Sequence, residues 1–155
     1  MDSRYESSMV SRLLRSIMVD GKVTTARDIV YKGMVDSCES LPKNIELPEH
    51  STVREKELLV LEKALAIITP RVEVKSRRFG GANYQVPVEV SQKRQHTLAV
   101  RWILEAVRGR SGMPTHLKLA QEIIDCYNKT GSTIQKRENT HRLAEANKAF
   151  SHFRW

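Results

Sequence analysis

The chain has 155 residues, with 26 Lys and Arg against 18 Asp and Glu, and a formal net charge of +8. This length suits one compact domain with a substantial core, and the excess of positive charge favours an anionic partner. No apolar run approaches the length of a membrane span. Cys38 and Cys126 are far apart and no secretory signal is present, which predicts a reduced intracellular compartment with both thiols as small buried residues.

Apolar residues at helical spacing predict three helices in the first 70 residues. The first covers residues 9–18. Thr24 or Thr25 is expected to cap the second, since a threonine hydroxyl can accept a hydrogen bond from a free backbone N–H of the first turn. Thr52 and Glu55 have the spacing of a capping box, which predicts the start of the third helix.

Two runs of alternating residues around a glycine pair predict a β-hairpin over about residues 71–90. Gly80 and Gly81 are expected to form its turn. Pro87 cannot donate a hydrogen bond to a neighbouring strand, so the pattern indicates a sheet edge or a free two-stranded ribbon. The approach to the turn is densely basic and would suit a nucleic-acid backbone; it contains Lys75, Arg77 and Arg78, followed by Phe79.

Three further helices are predicted after the hairpin. Ser91 is expected to cap the fourth, and the fifth runs from Leu117 through Tyr127, with Gly131 as its C-cap. The sixth covers roughly residues 133–150. The sequence therefore predicts a mainly α fold, in which the whole chain of 155 residues is one domain of six helices with a protruding two-stranded β-hairpin between helices three and four.

Positive charge is concentrated in the hairpin and the segment after it. Residues 71–110 hold nine Lys and Arg against three Asp and Glu, a net charge of +6, whereas residues 1–70 hold ten against eleven. Within this segment Arg94, Arg101 and Arg108 are spaced by seven, which places them on nearly one helix face and could let them bind successive phosphates. A solvated face of an amphipathic helix is the more common explanation of such a stripe. Continuity with the basic hairpin favours the nucleic-acid interpretation.

Patterns typical of catalysis are absent from the sequence. The five histidines and two cysteines show no spacing typical of metal ligands, and neither a nucleophile elbow nor a phosphate-binding loop occurs. We therefore predict no enzymatic activity, no cofactor and no metal site. Gly109 and Gly112 form a GxxG between two helices, a loop that clamps nucleic acid in KH modules, but a plain turn between helices is the favoured interpretation.

Four long segments, in this order, closely resemble the bacterial and organellar small-subunit ribosomal protein seven family. They are IMVDGKVTTARDIVYKGM (17–34), VEVKSRRFGGANYQVPVEV (72–90), residues 97–108, and KRENTHRLAEANKAFSHFRW (136–155). The resemblance covers nearly all of the chain and implies six helices with an extended hairpin between the third and the fourth. The fold inferred from the residues alone is the same.

The resemblance also implies a function. It implies a primary binder of the 3′ major domain of small-subunit ribosomal RNA that nucleates assembly of the subunit head, with the hairpin near the exit-site tRNA and the mRNA path. The implied partners include neighbouring head proteins but no membrane, and the implied location is on the ribosome, in the cytoplasm or in an organellar stroma or matrix. A free translational repressor of its own messenger is the alternative. A nucleic-acid enzyme is disfavoured, because residues 71–110 hold only Glu73, Glu89 and Glu105 as candidate metal ligands.

The resemblance implies a set of RNA-binding residues, to which we add Arg108 from the arginine stripe. We call this whole set the predicted RNA contacts. Three departures from the family pattern matter. Asp2-Ser3-Arg4-Tyr5 stands where the family has an Asp-Pro-Lys-Tyr-like stretch after a basic arm; Gly109 to His116 do not match the usual loop; and Phe79 replaces an aliphatic residue. The predicted RNA contacts are Lys22, Lys75, Arg77, Arg78, Arg94, Arg101, Arg108, Lys136, Arg137, His141, Arg142 and Trp155, with Gly80 and Gly81 as the hairpin turn.

Overall fold

The computed structural model describes residues 3–41 and 52–153, apart from the side chains of residues 151–153. In these ranges the chain forms six α-helices, one antiparallel hairpin between the third and fourth helices, and a final 3-10 helix. The fold class predicted from the sequence is confirmed. The elements are α1 (Ser8–Ile17), α2 (Val23–Ser40), α3 (Val53–Ile68), β1 (Val72–Phe79), β2 (Ala82–Glu89), α4 (Gln92–Gly109), α5 (Thr115–Tyr127), α6 (Gly131–Ala146) and the 3-10 helix (Lys148–Phe153).

Two predicted helix caps are confirmed. At the start of α3 the Glu55 N–H donates to Thr52 Oγ1 over 3.3 Å, and the Thr52 N–H donates to Glu55 Oε2 over 2.8 Å. At the start of α4, Ser91 Oγ accepts a hydrogen bond from the Arg94 N–H. These side chains satisfy backbone donors that the first turn of a helix leaves unpaired.

The predicted cap of α2 is wrong. The helix begins at Val23, so Lys22 occupies the N-cap position and makes no side-chain capping bond. The chain turns earlier than expected because Asp20 and Gly21 both adopt left-handed backbone angles, with φ of 54° and 70°. This tight turn starts the helix before either threonine, and Thr24 and Thr25 lie in its first turn.

The predicted C-cap of α5 is also wrong. Lys129 takes the left-handed position, with φ of 58°, and its N–H donates to the Cys126 carbonyl over 3.1 Å. The Thr130 N–H donates to the Asp125 carbonyl over 2.8 Å, which completes a Schellman motif. Gly131, with φ of 91°, instead starts α6, where an added Cβ would lie 3.1 Å from Asp125 Cβ. The sixth helix therefore spans residues 131–146 and not roughly 133–150.

The main core lies between the helices, with α5 packed against α2, α3, α4 and α6. Gly33 lets α2 approach α5 closely, because an added Cβ would lie 2.9 Å from Leu119 Cδ2. On α5, Leu119 is fully buried, whereas Leu117 is 41% exposed. The largest fully buried apolar side chains come from α1, α2, α3, β2, α4 and α5: Val10, Leu13, Val30, Met34, Val60, Leu61, Ile68, Val86, Ile103, Leu119 and Ile123.

The segment before α1 is anchored on α3. Glu57 is only 3% exposed, and it accepts a hydrogen bond from the Tyr5 hydroxyl. The Arg4 guanidinium lies 3.8 Å from the same carboxylate. Burial, and then the hydrogen bond to Glu57, raise the pKa of Tyr5 above its usual value. Arg4 and Tyr5 thus join the start of the chain to the helical core.

The hairpin is an isolated two-stranded sheet within the described residues, as Pro87 predicted. Its register pairs Lys75 with Val86 and Val74 with Pro87, so the valines of β1 and the valines of β2 lie on opposite faces. Both Val86 and Pro87 are buried as a result. The hairpin packs against α6 and the 3-10 helix, and the rings of Tyr84 on β2 and Phe150 on the 3-10 helix lie 5.1 Å apart.

Candidate nucleic-acid interface

The hairpin tip presents its cations to solvent. Lys75 and Arg78 are exposed on β1, and Arg77 is half-buried opposite Tyr84. Gly80 and Gly81 form the turn, as predicted, with φ of 59° and 83°. An added Cβ at either glycine would meet no atom within 4 Å, so the turn backbone is open to close approach.

The arginine stripe on α4 is exposed along its whole length. Arg94, Arg101 and Arg108 are all exposed, while the adjoining helix face buries Trp102, which is 7% exposed and packs with Leu98. A ligand that meets this stripe would therefore contact guanidinium groups carried on a helix that is fixed by the core.

The three arginines differ in their internal contacts. Arg108 donates from Nη2 to the Ser16 carbonyl over 3.2 Å, which joins α4 to the last turn of α1. Arg94 Nη2 lies 3.6 Å from Glu73 Oε2. The Arg101 side chain makes no ion pair or hydrogen bond to any other described residue. Arg101 is consequently the member of the stripe whose charge is least compensated by the protein itself.

Two predicted contacts on α6, Lys136 and Arg137, also have partners within the protein. Lys136 forms an ion pair with Glu105, and its ammonium group lies 5.7 Å from the centre of the Trp102 ring. Arg137 donates from Nε to the Thr69 carbonyl over 3.4 Å. These contacts bring the middle of α6 beside α4 and the hairpin base, next to the arginine stripe.

His141 has a structural partner as well. Its Nε2 accepts a hydrogen bond from the Arg71 N–H over 3.1 Å, at the point where the chain enters the hairpin. Burial lowers the pKa of His141, and the neighbouring charges of Arg137 and Arg71 lower it further. The imidazole is therefore held in its neutral form, which can accept this hydrogen bond but carries no charge for a phosphate.

The remaining predicted contacts are less connected to this surface. Arg142 is exposed on α6. Lys22 is exposed in the turn between α1 and α2, and within the described ranges no side-chain hydrogen bond or ion pair joins it to the hairpin, α4 or α6. Trp155 lies outside the described residues.

Arg12, a basic residue beside the stripe, is not among the predicted RNA contacts. Arg12 on α1 donates from Nη1 to the Lys93 carbonyl over 3.4 Å and to Thr97 Oγ1 over 3.5 Å. It thereby fixes α1 against the first turns of α4. Its position in the apolar run of α1 carried no signal of this contact, which depends on how two helices distant in sequence pack.

The GxxG segment is a turn between α4 and α5, as the favoured interpretation held. Arg110 points back to α5, where its guanidinium lies 3.3 Å from Glu122 and also pairs with Asp125. Glu122 is fully buried, and burial raises its pKa despite the nearby arginine. An acidic residue at a core position of α5, next to Ile123 and three residues after Leu119, was the sequence signal that could have revealed this site.

Two further properties concern the part of the chain that the structure describes. None of its helices is long and apolar enough to cross a bilayer. The same residues contain no group of three or more His, Cys, Asp or Glu side chains arranged to hold a metal ion.

The six helices and the basic ribbon are the architecture that the resemblance to a ribosomal protein family implied. Residues 1–148 match the model of the family described as ribosomal protein S7p/S5e, and the chain belongs to this family. The resemblance recognised from the sequence is thus confirmed.

The chain is similar to proteins named small ribosomal subunit protein uS7. It is 47% identical over 154 residues to that of Dictyoglomus thermophilum, a match that covers 99% of this chain and 91% of the relative. It is 46% identical over 154 residues to the proteins of Rhodopirellula baltica and Thermotoga petrophila, with 99% of this chain and 92% of each relative covered.

Proposed function

We propose that the protein is a structural constituent of the small ribosomal subunit that binds the 3′ major domain of its ribosomal RNA and nucleates assembly of the head. Membership of a ribosomal protein family and the names of the relatives support the ribosomal role. The RNA-binding part of the proposal rests on one observation, the series of exposed cations from the hairpin to α4. This series includes Lys75, Arg78, Arg94 and Arg101.

The mode of binding follows from the chemistry of this surface. Lys and Arg neutralise phosphates and release counterions, and the planar guanidinium can contact two phosphate oxygens at once. Side chains cannot read the deep major groove of A-form RNA, so the protein should recognise folded shape and not base sequence. The helical core fixes the stripe on α4, while the hairpin projects its open glycine turn toward the exit-site tRNA and the mRNA path.

Filter binding to the isolated 3′ major domain of the ribosomal RNA tests this proposal, with the 5′ domain of the same RNA as the control. We expect preference for the 3′ major domain. Affinity should fall by about a thousandfold or more between low and moderate salt, because several phosphates are neutralised. Equal affinity for both domains would contradict specific recognition, and an affinity independent of salt would contradict the electrostatic mechanism.

A free translational repressor of its own messenger is the alternative that the same RNA-binding surface allows. Sedimentation of tagged protein from a lysate separates the two roles. We expect the protein to migrate with the small subunit. Protein found mainly in the ribosome-free fractions would favour the repressor.

A further inference from the structure

Glu73 is an acidic residue placed beneath the predicted RNA-binding surface. It lies on β1, near the base of the hairpin, and its side chain is only 14% exposed. One carboxylate oxygen, Oε1, is 3.9 Å from Lys75 Nζ, and the other, Oε2, is 3.6 Å from Arg94 Nη2. A single carboxylate therefore joins a cation of the hairpin to a cation of α4.

The three side chains are arranged with the acid inside and the cations outside. Lys75 is 52% exposed and Arg94 is 42% exposed, so both keep a solvent-facing side while they contact Glu73. Two cations share one negative charge, so the cluster keeps a net positive charge toward solvent. A phosphate that approaches from solvent meets the cations first and the shielded carboxylate last.

We infer that Glu73 is a positioning residue of the RNA-binding surface, which holds Lys75 and Arg94 side by side for one stretch of phosphate backbone. This inference rests on the proposed function. Long cationic side chains lose conformational entropy when a ligand fixes them. An ion pair that already restrains them in the free protein reduces the entropy that is lost on binding. The pair also fixes the hairpin base relative to α4, so that the two basic elements present their charges in one arrangement.

Glu105 provides a matched contrast. It also pairs with a predicted RNA contact, Lys136, but the acid is 50% exposed and the lysine is 45% exposed. This carboxylate lies at the surface beside its cation, where it would repel an approaching phosphate. Glu105 is therefore expected to oppose RNA binding, whereas Glu73 supports it.

The two substitutions Glu73→Gln and Glu105→Gln test the inference by filter binding to the 3′ major domain of the ribosomal RNA. Each removes one negative charge that pairs with a predicted RNA contact, so charge alone predicts tighter binding in both proteins. We expect the Glu105→Gln protein to bind as tightly as the original or more tightly. The Glu73→Gln protein should bind about tenfold more weakly, comparable to the loss of one well-aligned charge-assisted hydrogen bond.

A second measurement separates positioning from a general effect on folding. In a protein that already carries Lys75→Gln and Arg94→Gln, Glu73→Gln should change the affinity less than about twofold, since the cations through which it acts are gone. Tighter or unchanged binding of the single Glu73→Gln protein would overturn the inference. A tenfold loss that persists in the doubly substituted background would also overturn it. Failure of the unsubstituted protein to bind the RNA would refute the proposed function itself.

Discussion

Arg101 and Trp102 are neighbours on α4, yet we expect their substitution to affect different properties. Arg101 is exposed and makes no ion pair or hydrogen bond to another described residue, so Arg101→Gln removes a charge without leaving a partner unsatisfied. The free energy of unfolding of the Arg101→Gln protein should differ from that of the original by less than about 0.5 kcal/mol, as for most surface substitutions. If the guanidinium contacts a phosphate, RNA binding should weaken by roughly 1.5–3 kcal/mol, the range for hydrogen bonds to charged groups.

Trp102→Ala should have the opposite profile. The ring is 7% exposed, packs with Val90 and Leu98, and receives the Lys136 ammonium 5.7 Å from its centre. Truncation of a buried tryptophan costs about 3–5 kcal/mol of stability. For a chain of this size each kcal/mol lowers the thermal midpoint by about 2–4 °C, so the total fall should be about 6–20 °C.

Both proteins are compared by thermal melting followed with circular dichroism and by filter binding to the 3′ major domain at a temperature where each is folded. An Arg101→Gln protein that binds as tightly as the original would refute the assignment of Arg101 to the RNA surface. A Trp102→Ala protein with an unchanged melting midpoint would refute the packing argument for this part of α4. Loss of RNA affinity in folded Trp102→Ala would show that the two faces of the helix are not independent.

Three other predictions concern stability. Arg110→Gln should cost about 3–5 kcal/mol in urea denaturation, because it leaves the buried Glu122 carboxylate without its cation, and the added change Glu122→Gln should restore most of the loss. Gly33→Ala should cost about 1–3 kcal/mol by overpacking the contact of α2 with α5, whereas Gly109→Ala, where an added Cβ meets no atom within 4 Å, serves as the control. Because the pKa of His141 is lowered in the folded state, the unfolded chain binds its proton more tightly. The thermal midpoint should therefore fall as pH drops through about 6.5, and less steeply in His141→Gln.

Each of these predictions has a contrary outcome. Equal stability of Arg110→Gln and the original would show that water compensates the buried acid. Equal stability of the Gly33→Ala and Gly109→Ala proteins would show that α2 and α5 can move apart without a loss in the free energy of unfolding. Parallel pH profiles of the original and His141→Gln would mean that the hydrogen bond to the Arg71 N–H does not depend on a neutral imidazole.

Local signals were sufficient for most of the fold. The capping box of Thr52 and Glu55, the Ser91 cap and the glycine turn of the hairpin each depend on residues within a few positions of one another. Alternation around Gly80 and Gly81 located both strands, because the side-chain period of a strand is visible in a short window. These features were predicted correctly for that reason.

The wrong predictions concern helix ends at which more than one nearby residue could form the cap. Gly131 is the residue type expected at a helix C-cap, yet Lys129 adopts the left-handed angle and closes α5 two residues earlier. Gly131 is favoured instead because its φ is 91° and an added Cβ would lie only 3.1 Å from Asp125 Cβ. That second constraint comes from packing between the end of α5 and the start of α6, and no pattern within either helix expresses it.

The candidate site shows the same division between local and tertiary information. Composition and spacing located the cations, but their internal partners depend on how α1, α4, α6 and the hairpin pack. Arg94 lies beside the Glu73 carboxylate, and Arg108 donates to the backbone of α1, whereas Arg101 has no such contact in the described ranges. A phosphate must share or displace an existing partner at the first two positions but not at the third. Equal spacing along one helix face therefore does not make the three arginines equivalent, and the energy that each contributes to RNA binding should differ accordingly.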